Sequence, residues 1–249
     1  MPMIRRYREE WVKAGYQSTM GSAEVVPPPK DPAFIRVYHF TTSEFAISDI
    51  GLARLKVARF SDLNDPFELL APRYSDPERR AAIREFKRDY DAVTGLLCFS
   101  RNWTNPILWS HYAAKHTGVC LGFDLRRSCG HIVQYEPSRL QQELESREKT
   151  AVPDEFKEVL IKTKFKHWEY EEEIRFIISL EKATKEGVLH FFEFNEDLKL
   201  SEVVLGSLCT MNISKIRSLV SKIYENVKTF QSRLALKTFN IVPKESTVN

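Results

Sequence analysis

The chain has 249 residues, of which 43% are hydrophobic and 29% charged, and its net charge is +3. This composition is typical of a globular protein, and the small charge gives no argument for a polyanionic partner. It contains no run of about 18 apolar residues and no signal-peptide pattern, so we expect no membrane span, no membrane partner and a cytoplasmic location.

The predicted elements in chain order begin with an N-terminal helix and a proline-rich linker within residues 1–33, followed by one domain at residues 34–249. Apolar runs predict strands at Phe34–Phe40, Leu52–Phe60, Gly95–Ser100, Val119–Leu125, His131–Tyr135, Ile174–Leu180, Val188–Phe194, Leu200–Leu205 and Leu234–Val242. Caps and helical periodicity predict helices at Met3–Gly15, Ser43–Gly51, Asp76–Val93, Asn105–Gly118, Leu140–His167 with a break near Pro153, and Ile213–Tyr224. We expect strands Val119–Leu125 and His131–Tyr135 to pair as a hairpin. The predicted fold class is α+β, with a mixed, largely antiparallel sheet and flanking helices.

Aromatic residues are concentrated on the helix that Asn105 and Pro106 start. Trp109, Tyr112 and His116 lie at positions i, i+3 and i+7 and therefore share one helical face. Such a face can stack on a flat ligand such as a nicotinamide or a base. The alternative is that Trp109 and Tyr112 are core residues whose polar atoms are satisfied within the fold.

Polar turn residues follow the second predicted strand, at Asn64, Asp65 and Pro66. Asn and Asp side chains bind neighbouring backbone groups, and proline fixes the bend, so these residues are able simply to hold a loop. Loops that follow strands also carry ligand-binding groups. Glu68 is the residue that turn formation explains least.

Glu171, Glu173 and Arg175 alternate at the entrance to an apolar strand, and a period of two places all three on one face. This pattern predicts a carboxylate held in its charged form by an arginine. An exposed sheet edge with a routine ion pair is the alternative. His39, near the end of the first strand and followed by Thr41, is a further candidate.

Several of these blocks together resemble a bacterial family of unknown function that includes the phage abortive-infection protein AbiGi. The similarity covers roughly residues 34 to 242. The matching blocks are Leu63-Asn64-Asp65-Pro66-Phe67-Glu68, Cys98-Phe99-Ser100, Trp109-Ser110-His111-Tyr112-Ala113 through Gly118, and Trp168-x-Tyr170-Glu171-x-Glu173-x-Arg175. The resemblance implies a family and a link to phage defence, but no reaction.

A second resemblance points to chemistry. Tyr38-His39-Phe40-Thr41, then Gly51-Leu52 and Asn64-Asp65-Pro66, is similar to the opening of DarT-type ADP-ribosyltransferase toxins. In that superfamily a first-strand histidine holds the NAD ribose, an aromatic residue stacks on nicotinamide, and a late glutamate at a strand start is catalytic. The resemblance implies the first role for His39, the last for Glu173, and the aromatic role for Tyr112 or another residue.

We therefore expect an ADP-ribosyltransferase-like toxin or phage-defence effector that uses NAD as substrate and modifies nucleic acid or protein. No Gly-rich phosphate loop is present, which argues against Rossmann-type NAD binding. The expected catalytic residues are Glu173, Arg175 and Glu171, the expected NAD contacts are His39, Thr41, Asn64, Asp65, Tyr112 and His111, and no bound metal is expected. Two alternatives remain open: a metal-dependent nuclease that uses Asp65, Glu68, Glu171 and Glu173, and a non-catalytic nucleotide-binding module.

Overall fold

A computed structural model describes residues 25–73, 76–140, 152 and 154–248. The helix predicted at Met3–Gly15 lies outside these residues, so the boundary between residues 1–33 and 34–249 stays a prediction. Among the described residues, no helix is long and apolar enough to cross a membrane.

The structure is built on an eight-stranded sheet with the order β13-β12-β11-β4-β1-β3-β8-β5. All neighbours in it pair antiparallel except β11 and β12, which are parallel. The strands are β1 Phe34–Thr41, β2 Arg54–Val57, β3 Thr94–Ser100, β4 Val119–Arg126, β5 Gly130–Ile132, β6 Gln134–Glu136, β7 Thr163–Phe165, β8 Glu173–Ser179, β9 Thr184–Glu186, β10 Leu189–Glu193, β11 Leu198–Leu205, β12 Lys228–Leu234 and β13 Ile241–Pro243. Strands β2, β10 and β9 form a separate sheet, and β6 pairs with β7. The predicted mixed, largely antiparallel α+β fold is confirmed.

The helices begin where the sequence supplies caps. Asp76 and Asn105 each accept a hydrogen bond from the backbone two residues later, and each precedes a proline in the first turn. The described helices are α1 Ser43–Leu52, α2 Pro77–Val93, α3 Pro106–Tyr112, α4 Asp154–Lys162 and α5 Ile213–Ile223. A side-chain cap followed by proline satisfies first-turn N–H groups and presets the backbone, which explains why these starts were predicted correctly.

The main core lies between one face of the large sheet and helices α1 and α5. Val37 on β1 and Leu121 on β4 are fully buried there and belong to the same cluster as Ile50 of α1 and Val220 of α5. Trp109 of α3 lies in a second cluster with Phe230 of β12. Helix α3 is therefore fixed against the sheet by its tryptophan.

Two predicted helices are too long. Helix α3 ends at Tyr112 rather than near Gly118, because Ala114, Lys115 and His116 have left-handed φ angles of 46°, 54° and 70°. The region predicted as one helix from Leu140 to His167 is wrong at its end, since α4 stops at Lys162 and strand β7 follows. Most of its first half lies outside the described residues.

Two strand predictions are also wrong. The region His131–Tyr135 does not form a hairpin with β4, because β5 pairs with β8 at the sheet edge, while β4 lies between β1 and β11. The region Leu234–Val242 is not one strand, because β12 ends at Leu234 and β13 starts at Ile241. Local periodicity specifies neither which strands pair nor where a turn interrupts an apolar run, and each of these predictions failed at one of those points.

The feature that positions the site is a gap in the large sheet. Strands β1 and β3 pair at one position only, Tyr38 with Ser100. Beyond it the two strands separate, and Leu96 of β3 bridges Ala58, just after β2, instead. Ser100 also pairs with Glu173, so the first residue of β8 lies beside the one position at which β1 and β3 pair.

Candidate functional site

A cleft of about 270 Å³ opens where β1 and β3 separate. Five residues that the sequence singled out line it: His39 from β1, Asn64 from the loop after β2, Tyr112 from the end of α3, Glu171 from the segment just before β8, and Glu173 from the first position of β8. Its walls are mostly apolar. Segments that are up to 134 residues apart in sequence, counted from His39 to Glu173, therefore meet in one cavity.

His39 is held in one tautomer. Its Nδ1 lies 3.1 Å from the carbonyl oxygen of Cys98 across the gap. A carbonyl only accepts, so Nδ1 carries the proton and Nε2 is an acceptor. Burial lowers the pKa of His39 despite this hydrogen bond. The imidazole is therefore neutral at physiological pH, as required of a group that accepts a hydrogen bond from a ligand hydroxyl.

Lys164 of β7 joins the two glutamates that line the cleft. Its Nζ lies 2.5 Å from Oε2 of Glu171 and 3.1 Å from Oε2 of Glu173. Glu171 lies not on the strand but at the end of a short 3-10 helix, Lys166–Glu171, and Glu172 then turns through a left-handed φ of 44°. This turn, rather than strand alternation, brings both carboxylates to the same ammonium group.

Behind this layer Arg175 is fully buried. Its Nη1 and Nη2 bind the two oxygens of Glu68 at 2.9 and 2.6 Å, and its Nε binds Oε1 of Glu173 at 2.9 Å. Nη1 also donates to the carbonyl oxygen of Ile161 at 2.8 Å. Planar guanidinium geometry suits such two-point pairing, so Arg175 fixes the orientation of Glu173.

The electrostatics of the cluster favour an ionised Glu173. Burial by itself would raise its pKa, but the charges of Arg175 and Lys164 outweigh burial and lower the pKa of Glu173 to about 2. For Glu68 burial dominates, and the pairing with Arg175 offsets it only in part, so the pKa of Glu68 is raised. Burial lowers the pKa of Lys164, yet the surrounding carboxylates raise it overall. Glu173 thus presents a permanent negative charge to the cleft, supported from behind.

Tyr112 closes one side of the site. Its hydroxyl donates to Oε1 of Glu171 and lies 3.4 Å from Nδ2 of Asn64. Burial, followed by the hydrogen bond to Glu171, raises the pKa of Tyr112 well above its ordinary value. The phenol therefore stays protonated and acts as a donor, while its ring forms part of the cleft wall.

Four of the predicted site residues do not line the cleft. Thr41 is buried at the end of β1, and Asp65 is buried with Oδ1 accepting from the backbone N–H of Phe67 at 2.9 Å. His111 is exposed, with its ring 6.2 Å from that of Tyr170. Arg175 is fully buried behind the cleft and pairs there with Glu173.

The expected ligand-facing aromatic surface on α3 is wrong apart from Tyr112. Trp109 is fully buried, its Nε1 donates to the carbonyl oxygen of Trp103 at 2.6 Å, and its ring meets Phe40 edge-on. His116 leaves the helix and stacks on Trp109, with the ring planes 9° apart. The alternative that Trp109 is a core residue is the correct one.

Three residues of the site were not predicted. Lys164 was assigned to a helix, although lysines at positions 162, 164 and 166 alternate with the period of a strand. Tyr135 accepts a hydrogen bond from the backbone N–H of Glu173 at 2.8 Å. Cys98 contributes its carbonyl to His39, and burial, together with Glu173, raises the pKa of its thiol well above the ordinary value. Cys98 lies in one of the blocks that carry the family resemblance, although the resemblance gives it no role, and nothing in the local sequence distinguishes Tyr135 from an ordinary strand residue.

The carboxylates of this site bind cations of the protein itself. Within the described ranges, no three His, Cys, Asp or Glu side chains are arranged to bind a metal ion. Glu68, Glu171 and Glu173 are each bound to Lys164 or Arg175. A metal ion at this point would have to displace a buried ammonium or guanidinium group.

A family model described as a protein of unknown function, DUF2971, matches residues 108–176. The expected similarity to a domain family of unknown function is confirmed over this span. It runs from α3 through the start of β8 and so contains Tyr112, Lys164, Glu171 and Glu173, but neither His39 nor Asn64. No curated protein and no solved structure matches the chain.

Proposed function

We propose that the cleft binds NAD and that the protein transfers ADP-ribose from it to a nucleic acid or a protein. The observation that supports this most is that His39, Tyr112 and Glu173 line one cavity although they come from three distant segments. The resemblance of the His39 and Asn64 blocks to DarT-type toxins, and of the wider chain to the family of AbiGi, adds support. From the same resemblances we propose a role as a toxin or phage-defence effector.

The reaction requires a fixed negative charge beside a sugar. When the bond between ribose C1′ and the nicotinamide nitrogen breaks, its electron pair leaves with the neutral nicotinamide and positive charge develops on the ribose. A preorganised carboxylate stabilises that charge most where water is excluded. Glu173 fits this role, because it is 4% exposed and its pKa is about 2. The acceptor then attacks C1′ and loses a proton.

The other cleft residues would orient NAD rather than react. Neutral His39, with Nε2 as an acceptor, suits a ribose hydroxyl. The ring of Tyr112 offers a face for the nicotinamide, while its hydroxyl stays bound to Glu171. The carboxylate of Glu171 is shared between Tyr112 and Lys164, so it positions both groups.

The alternatives have less support. A metal-dependent nuclease would need the carboxylates free for a metal, but Lys164 and Arg175 bind them. Asp65, which the nuclease hypothesis also required, binds its own loop. A non-catalytic nucleotide-binding module would use the same cleft, and turnover separates it from an enzyme.

The test is release of nicotinamide from NAD by the purified full-length protein, with DNA, RNA and protein offered as acceptors. We expect turnover with one acceptor class and a loss of at least about 100-fold in Glu173→Gln, since the variant lacks the charge that stabilises the transition state. Glu169→Gln is the matched control, because Glu169 is exposed in the same segment. NAD binding without nicotinamide release would select the binding module, and release that is unaffected by Glu173→Gln would contradict the assignment.

A further inference from the structure

A second cavity, of about 250 Å³, lies next to the cleft and shares Lys164 with it. It is formed by the loop that continues from Asn64, by the residues after β6, and by strand β7. Most of its lining is apolar, with Leu70, Ala71 and two phenylalanines. The hypothesis for the cleft makes no use of this cavity.

Two aromatic rings at the cavity are exposed to solvent. Phe67 is 51% exposed and Phe165 is 39% exposed, and both line the cavity. The ring of His167 lies 4.4 Å from that of Phe165. Large rings left in water beside a concavity are typical of a surface on which another flat group stacks.

The cavity also contains the cation of Arg139, which pairs with no carboxylate among the described residues. The guanidinium of Arg139 lies over the ring of Phe67, 5.1 Å from its centroid, and Arg139 lines the cavity. In the part of the chain that the structure describes, no carboxylate pairs with Arg139. By contrast Arg36 and Arg175 are each bound to two carboxylates. An arginine stacked on an aromatic ring keeps its in-plane N–H groups free for an anion.

We propose that this cavity binds a nucleoside monophosphate. The base would stack against Phe67 and Phe165, the phosphate would pair with Arg139 in a charge-assisted fork, and Glu136 and Ser138 would meet the hydroxyl and amino groups. At about 250 Å³ the cavity is close in volume to the cleft and just below the usual range of about 300–1,000 Å³ for ligand sites. An aromatic carboxylate shares the essential chemistry of a flat ring with an anion. The site does not depend on NAD cleavage in the cleft.

Isothermal titration of the full-length protein with AMP tests the site, with adenosine and benzoate as comparison ligands. We expect saturable binding of AMP, and binding at least about tenfold weaker for adenosine, which lacks the phosphate. Arg139→Gln and Phe67→Ala should each weaken AMP binding by about tenfold or more. The matched controls are Arg88→Gln and Phe45→Ala, because both side chains are exposed and lie outside the cavity.

Variants of the cleft complete the test, because they separate AMP binding in the second cavity from AMP binding in the cleft. Retention of AMP binding in His39→Ala and Glu173→Gln would place the nucleotide in the second cavity, whether or not these variants cleave NAD. Loss of AMP binding in His39→Ala, with Arg139→Gln unaffected, would overturn the proposal. Absence of saturable AMP binding, or tighter binding of benzoate than of AMP, would overturn it too.

Discussion

The buried arginine behind the cleft offers the sharpest test of how the site is held together. Arg175 is fully buried and makes four hydrogen bonds to carboxylate oxygens of Glu68 and Glu173 and one to the carbonyl of Ile161. Replacing it with methionine keeps much of the apolar stem but removes every donor. Two buried carboxylates would then lose their main counter-charge.

Removal of one partner of a buried ion pair costs about 3–5 kcal/mol. Lys164 remains at 3.1 Å from Glu173 and 3.9 Å from Glu68, so it compensates in part. We therefore expect Arg175→Met to lower the free energy of unfolding by about 4 kcal/mol at neutral pH. That is a large share of the about 5–15 kcal/mol that stabilises a typical protein.

Urea unfolding followed by circular dichroism measures this effect. The matched control is Arg88→Met, because Arg88 also pairs with two carboxylates, those of Glu85 and Asp89, but its side chain is 70% exposed. The control should have little effect, since exposed pairs contribute little. The loss in Arg175→Met should shrink at lower pH, because the unpaired carboxylates of the variant would have raised pKa values and become neutral. Equal effects of the two variants, or a loss that grows on acidification, would refute this reasoning.

Three further effects follow from the same structure. The pKa of Glu173 falls from 4.5 to about 2 on folding. The contribution of Glu173 to the free energy of unfolding is therefore complete above pH 4.5 and is lost as the pH falls from about 4.5 to 2. In acid unfolding over that range, the wild type should lose about 3 kcal/mol more stability than Glu173→Gln. Tyr112→Phe should lower kcat for NAD cleavage about tenfold with little change in KM, because the ring stays and only the hydrogen bond to Glu171 is lost. A change in KM alone would contradict the role assigned to Tyr112. In thermal unfolding, Gly206→Ala should destabilise the protein by about 3 kcal/mol, because a Cβ there would lie 2.1 Å from the carbonyl oxygen of His116. Gly51→Ala in α1 is the matched control: its Cβ would meet nothing within 4 Å, and the variant should stabilise the protein by about 0.5–1 kcal/mol.

The elements that the sequence predicted well are those with local causes. The starts of α2 and α3 follow from Asp76 and Asn105, each a cap placed before a proline. Strand β4 begins with the apolar run Val119–Phe123, and all five residues of that run are buried. In these places the residues that determine the element lie within it, so a local pattern is sufficient.

The elements that were missed depend on distant contacts. The left-handed residues after Tyr112 are stabilised by packing of the His116 ring on Trp109 and by the close approach of Gly206 to the His116 carbonyl. Strand β7 exists because it pairs with β6. The residues around His116 do not reveal the contact with Gly206, and the residues of β7 do not reveal the pairing with β6.

The site was predicted only in part, because some of its residues stand out in the local sequence and others depend on distant contacts. Glu173 and His39 carry chemistry that is conspicuous in a strand, Glu171 lies two residues before Glu173, and all three line the cleft. Lys164, which joins the two carboxylates, was not predicted, because the pattern of its segment is compatible with a helix as well as with a strand. Arg175 was correctly linked to Glu173, but its full burial depends on Glu68, which lies 107 residues away in sequence.

A crystal structure of the protein with a non-hydrolysable NAD analogue tests the central claim most directly. We expect a hydroxyl of the nicotinamide ribose within hydrogen-bonding distance of the Glu173 carboxylate, the nicotinamide ring against Tyr112, and a ribose hydroxyl on Nε2 of His39. Density for the analogue outside this cleft, or with its reactive ribose away from Glu173, would contradict the account.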